Sequence, residues 1–178
     1  MPVVLRTRFM RRCFGGLFFL LVASGCGYGL RGSVNNLPPD IKAVYIPVFD
    51  NVTAEPGVEV VFTNALIYQF TRSKMLQVVP VSNAQATIHG KIKRVYADPV
   101  VYGSQIQALN RKVTVELEVS CRRLDNQKIL WQNQGLSRFE VFTVSTDPSQ
   151  TERNKLEAIN KIAQFLSEQI HNGILENF

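Results

Sequence analysis

Hydrophobic and polar residues alternate most regularly between Arg111 and Arg122. Every second residue from Val113 to Cys121 is apolar, and the residues between them are charged or hydroxylated. Strict alternation predicts a β-strand with one buried and one solvated face. Related patterns, rich in β-branched residues, predict further strands over Ile41–Phe49, Ala86–Ala97 and Ile129–Phe142, and a short strand or extended segment over Leu76–Val81. Gly135 is a predicted β-bulge.

Two other segments repeat their apolar residues with the period of an α-helix. The first spans Val58–Phe70, and its predicted buried stripe is Val58, Val61, Phe62, Ala65, Leu66 and Phe70. The second begins with Asp147 as N-cap, Pro148 in the first turn and Gln150 completing a capping box, and it ends at Gly173. Its predicted stripe is Leu156, Ile159, Ala163, Leu166 and Ile170.

The order of these elements is β-α-β-β-β-α, with room for one short strand after the first helix. Three consecutive long strands between two helices predict an antiparallel meander with both helices on one side. We therefore expect an α+β two-layer sandwich, in which two helices pack on one face of a mostly antiparallel sheet of about four strands. Residues 41–178 form its single domain, which suits a chain of 178 residues.

The N-terminus has a different pattern. Arginines up to Arg12 precede a ten-residue apolar run, Cys13–Val22, which is shorter than the roughly 20 residues of a membrane-spanning helix and typical of a signal peptide. Small residues then lead to Cys26, as in the lipobox of bacterial lipoproteins. We predict a lipoprotein signal peptide over residues 1–25, an N-acyl diacylglycerol lipid on Cys26, and a tether over residues 26–40.

Two alternatives for this segment stay open. One is ordinary secretion with a free thiol at Cys26, and the other is export through a twin-arginine signal at Arg11 and Arg12. Gly27, rather than aspartate, follows the cysteine, which indicates sorting to the outer membrane.

The net charge of +6 raises the question of a nucleic-acid partner. Four of the arginines lie within residues 1–25, and the remaining 16 basic and 14 acidic side chains leave a charge of only +2. A folded domain that binds nucleic acid needs a basic patch, so we expect no nucleic-acid partner.

Candidate chemistry is sparse along the chain. His89 and His171 lie far apart without a neighbouring cysteine or acidic cluster, so we expect no metal site. Cys121 is interpreted as a small buried apolar residue. Glu116 and Glu118 fall on the solvated face of a strand rather than forming a catalytic pair. No nucleophile elbow, phosphate loop or histidine–acid group is found, which predicts a protein that is not an enzyme and has no cofactor beyond the lipid.

Four stretches of the sequence are similar to one known family. They are "CGYGLRG" at 26–32, "LPPDIKAVYIPVFDNVTAEPGVEVVFTNAL" at 37–66, and the later "ILWQNQGLSRFEVF" and "EAINKIAQFLSEQI". Together they resemble the lipopolysaccharide-assembly lipoprotein family LptE, also called RlpB. The most specific parts are the start, with Cys26, Gly27, Tyr28, Leu30 and Arg31, and the stretch from Ile46 to Gly57.

The resemblance implies a lipid-anchored protein on the periplasmic face of the outer membrane. It further implies that the chain plugs and helps to assemble the LptD β-barrel, and that it binds lipopolysaccharide. Lipid A carries phosphates, which pair with basic side chains. The candidate contacts are Arg111, Lys112, Arg138 and Arg153. The alternative is an outer-membrane lipoprotein adaptor for a cell-wall synthase or a secretion pore.

Overall fold

The computed structural model describes residues 37–100 and 110–176. The strands are β1 Ala43–Tyr45, β2 Asp50–Asn51, β3 Gln77–Val78, β4 Ala86–Pro99, β5 Asn110–Arg123 and β6 Ile129–Thr143. Helix α1, Val58–Ser73, lies between β2 and β3, and helix α2, Pro148–Glu176, follows β6. A single 3-10 turn, Val81–Asn83, leads from β3 into β4. Within the described ranges, neither helix carries an apolar run that would reach across a membrane.

The six strands in the described part of the chain form one mixed sheet. Its order is β3-β1-β4-β5-β6, and β2 pairs with β4 beyond β1. The three long strands are antiparallel neighbours, as the sequence predicts, but β1 is parallel to both β3 and β4, and β2 is parallel to β4. The α+β class and the two helices are confirmed. The expected sheet of about four mostly antiparallel strands is too small, and it omits the parallel half.

The parallel half follows from Pro47 and from α1. Of the predicted strand Ile41–Phe49, only Ala43–Tyr45 pairs, as β1, and β2 lies just beyond its predicted end. Pro47, between them, has no backbone N–H to donate to a sheet. Both strands pair with β4, at Ala86 and at Lys91 respectively. Helix α1 then carries the chain back to the start of the sheet, where β3 joins β1 in parallel, as a helical crossover requires.

The alternation in β5 separates a helix-facing side of the sheet from an open side. Val113, Val115, Leu117, Val119 and Cys121 are all buried and belong to the same hydrophobic core as the apolar residues of α1 and α2. Burial raises the pKa of the Cys121 thiol to about 12, because the thiolate is poorly solvated there. The interpretation of Cys121 as a buried apolar residue is confirmed.

The predicted bulge at Gly135 is confirmed by the pairing of β5 with β6. Leu117 lies opposite Leu136, whereas Val119 lies opposite Asn133, so Gln134 and Gly135 together oppose one residue of β5. A bulge of this kind reverses which side chains face the core beyond it. After the bulge, Leu136 and Arg138 face the helices, and Phe139 faces the open side.

Helix α2 begins as predicted but not with the predicted capping box. The Oδ1 atom of Asp147 accepts a hydrogen bond from the backbone N–H of Ser149 at 2.9 Å, which confirms the N-cap. Gln150 does not reach back to Asp147. Its amide instead bonds to Asn154 at 2.8 Å and to Arg153 at 2.9 Å, because both lie within one turn on the same helix side.

Two further predictions for α2 are wrong. Leu156 is 43% exposed rather than buried. Residues outside the predicted stripe are buried instead, among them Ala158, Ile162 and Ser167. The helix also continues past Gly173 to Glu176. A Cβ atom at Gly173 would lie 2.8 Å from the Trp131 ring, so this glycine allows the close approach of β6 and does not end the helix.

Candidate functional site

The open side of the sheet presents an exposed aromatic surface, which we call the open face. It consists of the outward side chains of β4, β5 and β6. Tyr96, Thr114 and Phe139 form one row across the three strands. The two aromatic side chains are 41% and 53% exposed, whereas the threonine between them is buried. Large aromatic side chains in this position suit contact with a further molecule.

The next row of the open face brings a cation to this aromatic pair. Lys112 lies between Asp98 and Val141 in register, and its Nζ atom is 5.3 Å from the centre of the Phe139 ring. A lysine over an aromatic face is held by the ring's negative face while its charge stays accessible. This end of the open face therefore offers apolar rings and a positive charge together.

Two acids of the open face, Glu116 and Glu118, are each paired with a cation. Glu116 accepts hydrogen bonds from Nε of Arg94 at 2.8 Å and from the hydroxyl of Tyr96 at 3.4 Å. Glu118 pairs with Lys93 at 3.4 Å. The two carboxylates thus have separate partners, which is the arrangement of a solvated strand face. His89 is exposed, and the described residues contain no cluster of three side chains that would ligate a metal.

The first two predicted phosphate contacts lie together at one end of the sheet. Arg111 is exposed and donates from Nη2 to the carbonyl of Ala97 at 3.1 Å, which holds it beside the end of β4. Lys112 follows it and points to the open face. Neither side chain has an ion pair with an acid among the described residues.

The other two predicted contacts lie elsewhere. Arg138 faces the helices, where its guanidinium stacks 3.8 Å from the centre of the Phe165 ring and its Nη2 lies 3.6 Å from Glu140. Arg153 lies in the second turn of α2 and bonds to Gln150. The structure does not bring the four basic residues into one cluster, and their role in phosphate binding stays a prediction. Cys26 lies outside the described residues.

The most specific stretch of the sequence builds a hydrogen-bonded loop before α1. The Asn51 amide donates to the Glu55 carbonyl and to Glu59 Oε2, both at 2.8 Å. Its Oδ1 accepts from the N–H and the hydroxyl of Thr53, at 3.0 and 2.7 Å. Gly57 enters the helix with a φ of 86°, which glycine adopts without strain. We infer that the role of these residues is to fix the conformation of the loop.

The same loop is attached to the second helix. Lys155 Nζ lies 2.9 Å from Glu55 Oε1 and 2.9 Å from Glu152 Oε2. Burial alone would lower the pKa of Lys155, but the bonds to Glu152 and Glu55 outweigh it and raise that pKa. The loop therefore fixes the start of α1 against α2.

The exposed aromatics of the open face were not among the candidates predicted from the sequence. A signal is present in β6, where Phe139 and Val141 have the opposite parity to the buried Phe142. Apolar residues on both faces of one strand indicate a second contact surface. Recognising which side is open requires the position of the bulge at Gly135.

Comparison with known proteins identifies the family. The family model described as "LptE: Lipopolysaccharide-assembly" matches residues 41–174, which is more than half of the chain. No curated protein sequence gives a significant match.

Solved structures are similar to this chain at low sequence identity. A protein from Caulobacter crescentus CB15 has a TM-score of 0.52 and 9% identity, covering 71% of this chain and 87% of its own. The rare lipoprotein B from Shewanella oneidensis has a TM-score of 0.49 and 6% identity, covering 73% and 92%. A minor lipoprotein from Acinetobacter baumannii has a TM-score of 0.48 and 13% identity, covering 79% and 95%. At this identity, the Caulobacter structure shows only the fold, whereas the family match spans the described domain, and the chain belongs to the LptE family of lipopolysaccharide assembly.

Proposed function

We propose that this chain is a lipid-anchored outer-membrane protein that faces the periplasm, plugs the lumen of an LptD-type β-barrel and takes part in moving lipopolysaccharide. The observation that carries the proposal is the family match over residues 41–174. The lipobox at Cys26 supports the anchor, because a diacylglyceryl cysteine holds more than one acyl chain and attaches a protein stably to a bilayer.

The open face supports a position inside a barrel. Barrel lumens are polar, so a plug needs a surface on which charges are satisfied or solvated. The pairs Arg94–Glu116 and Lys93–Glu118 supply such a surface. The exposed rings of Tyr96 and Phe139 lie beside them.

The end of the open face at Lys112 supports contact with lipopolysaccharide. Lipid A combines phosphates with acyl chains, and a binding surface for it needs cations next to apolar groups. Lys112 over the Phe139 ring provides both within 5.3 Å, and Arg111 is its sequence neighbour. Of the four predicted basic contacts, Lys112 has the geometry that fits best.

Purification of the tagged full chain from membranes tests this function. We expect a large outer-membrane β-barrel of the LptD type and lipopolysaccharide to copurify with it in mild detergent, identified by mass spectrometry and by a lipid A assay. Recovery of a cell-wall synthase or a secretin without such a barrel would instead establish the adaptor alternative.

A charge reversal separates lipopolysaccharide contact from barrel contact. Lys112→Glu should reduce the lipopolysaccharide recovered by several-fold while the barrel is recovered as before. The matched control is Lys128→Glu, because Lys128 is an exposed lysine in the turn at the other end of β5. Equal loss in both variants would show that only overall charge matters.

Replacement of Cys26 by alanine tests the anchor. We expect complete loss of labelling by an alkyne fatty-acid probe, since the thiol is the atom that receives the diacylglyceryl group. Cys13→Ala is the control, because Cys13 lies within the predicted signal peptide and should leave labelling of the mature chain intact. Undiminished labelling of the Cys26→Ala protein would refute the lipobox assignment.

A further inference from the structure

Strand β6 forms a long open edge of the sheet. It is the last strand in the sheet order, and no strand among the described residues pairs with its outer side. Its 15 residues exceed the usual length of a strand, and long edges leave backbone N–H and C=O groups available to another chain. Arg138 and Glu140 are its only charged residues, so its first half, from Ile129 to Gln134, has no charge to discourage pairing.

A cleft runs between this edge and helix α2. It has a volume of about 470 Å³ and is lined by Trp131, Asn133 and Leu136 of β6 and by Phe165, Glu168 and Gln169 of α2, among others. The Trp131 ring lies close to the backbone of Gly173, where an added Cβ atom would be 2.8 Å from it. Arg138 stacks on Phe165 beyond the cleft and approaches Glu140. A cleft with partly exposed rings alongside a free edge strand is the arrangement that binds peptides by strand addition.

The charge of the cleft indicates which peptide it suits. Its described lining includes Glu168 and Glu176 but no lysine or arginine. Glu168 also has no ion pair among the described residues, unlike Glu157 on the same helix, which pairs with Lys161 at 2.8 Å. A basic side chain entering the cleft would meet an unpaired carboxylate.

We propose that the outer edge of β6 binds an extended segment of another protein, which adds as a seventh strand. One apolar side chain of that segment lies between Trp131 and Phe165, and a lysine or arginine two residues away pairs with Glu168. Side chains two residues apart project from the same face of a strand, so both can enter a cleft that runs along β6. The proposal does not rest on lipopolysaccharide handling or on the open face, which is the other side of the sheet.

The single tryptophan of the chain makes the test direct. Trp131 is the only tryptophan, so its emission reports on this cleft alone. The full chain in a non-absorbing detergent is titrated with the capped peptide Thr-Lys-Val-Leu-Val-Lys-Thr, which has lysine, leucine and lysine on one face and no aromatic residue. We expect a saturable shift in the emission of Trp131.

Two altered peptides separate strand addition from nonspecific contact. N-methylation of alternate backbone amides removes the donors that would pair with β6, and we expect binding to weaken about tenfold or more, since several hydrogen bonds are lost. Replacement of both lysines by glutamate should weaken it similarly. Equal binding of the methylated peptide, or no change in emission up to millimolar peptide, would overturn the proposal.

Protein variants complete the test. Glu168→Gln should weaken binding of the basic peptide several-fold, whereas Glu157→Gln, on the same helix outside the cleft, should not. An unaltered affinity in the Glu168→Gln variant would overturn the charge assignment. Analytical ultracentrifugation tests whether a second copy of the chain binds the edge instead. A dimer that the peptide dissociates would show this, and would overturn the proposal that the partner is a different protein.

Discussion

Replacement of Gly90 by alanine is expected to lower the free energy of unfolding by about 2 to 3 kcal/mol, the cost of overpacking a closed core. Gly90 lies on the helix-facing side of β4, and a Cβ atom there would overlap three carbons of the Phe49 ring. That ring is buried and stacks on Phe62 with a centroid distance of 6.4 Å. The backbone N–H of Phe49 is also bonded to Thr63 at 3.0 Å, so the residue cannot withdraw without losing that bond.

The measurement is urea unfolding of the chain in detergent, followed by circular dichroism and by the emission of Trp131. The matched control is Gly135→Ala in β6, because a Cβ atom at Gly135 would meet no atom within 4 Å. We expect that control to change stability by less than about 0.5 kcal/mol. Equal effects at the two glycines would show that overlap with Phe49 does not set the cost.

A double-mutant cycle assigns the cost to one pair of residues. Phe49→Leu shortens the side chain above Gly90 and is destabilising alone, as a large-to-small change in a core is. Combined with Gly90→Ala, it should cost less than the sum of the two single changes, because the added methyl group then occupies vacated space. Strict additivity would show that the two positions do not interact.

Much of this fold follows from local patterns. The alternation over β5 and the helical period over α1 are both repeated many times, so chance departures do not obscure them. The early end of the first strand at Tyr45 is less predictable, since Pro47 is compatible with either a strand end or an interruption. The parallel pairing of β1 with β3 and β4 depends on where α1 returns the chain, which local residues do not specify.

The surfaces are less accessible to sequence reasoning than the core. Arginine is usually exposed, so the sequence places Arg138 on the surface. The bulge at Gly135 instead turns its side chain toward α2, where it stacks on Phe165. Gly173 has the position of a helix end, yet it accommodates Trp131, a residue more than forty positions earlier in the chain. In both cases, the deciding partner is remote in sequence, and no local pattern identifies it.

The loop from Asn51 to Gly57 is a family motif for which a functional role and a folding role are both conceivable. In the sequence, this loop is one of the stretches that resemble the family, and a functional role would be the first interpretation. In the structure its polar side chains bond to one another and, through Glu55 and Lys155, to α2. A motif whose polar groups are already satisfied within the chain has a role in folding, and its alteration should affect stability before it affects binding.

Asn51→Ala is therefore expected to lower the free energy of unfolding by about 2 kcal/mol or more, because four hydrogen bonds are lost and their partners are left partly buried. The backbone N–H of Thr53 and the carbonyl of Glu55 lose their partner directly. Urea unfolding measures the change. The matched control is Asn126→Ala in the exposed β5–β6 turn, where the asparagine side chain accepts one bond from Lys128 at 3.0 Å. A cost at Asn51 no greater than at Asn126 would contradict a folding role for the loop.

Asn51→Asp distinguishes the loop's charge balance from its geometry. The pKa of Glu59 lies below its ordinary value, because its carboxylate accepts bonds from its own backbone N–H, from Asn51 and from Gly57. In the native chain, that contribution to stability is therefore present above the ordinary pKa and is lost as the pH falls through the lowered one.

Asn51→Asp keeps the acceptor for Thr53 but puts a second carboxylate in the place of the amide, which lies 2.8 Å from Glu59. Like charges raise each other's pKa, so the destabilisation of this variant relative to the native chain should be greatest at neutral pH and should shrink as the pH falls toward 4. A destabilisation that stays constant between pH 7 and pH 4 would show that the lost donor, and not charge repulsion, accounts for the effect.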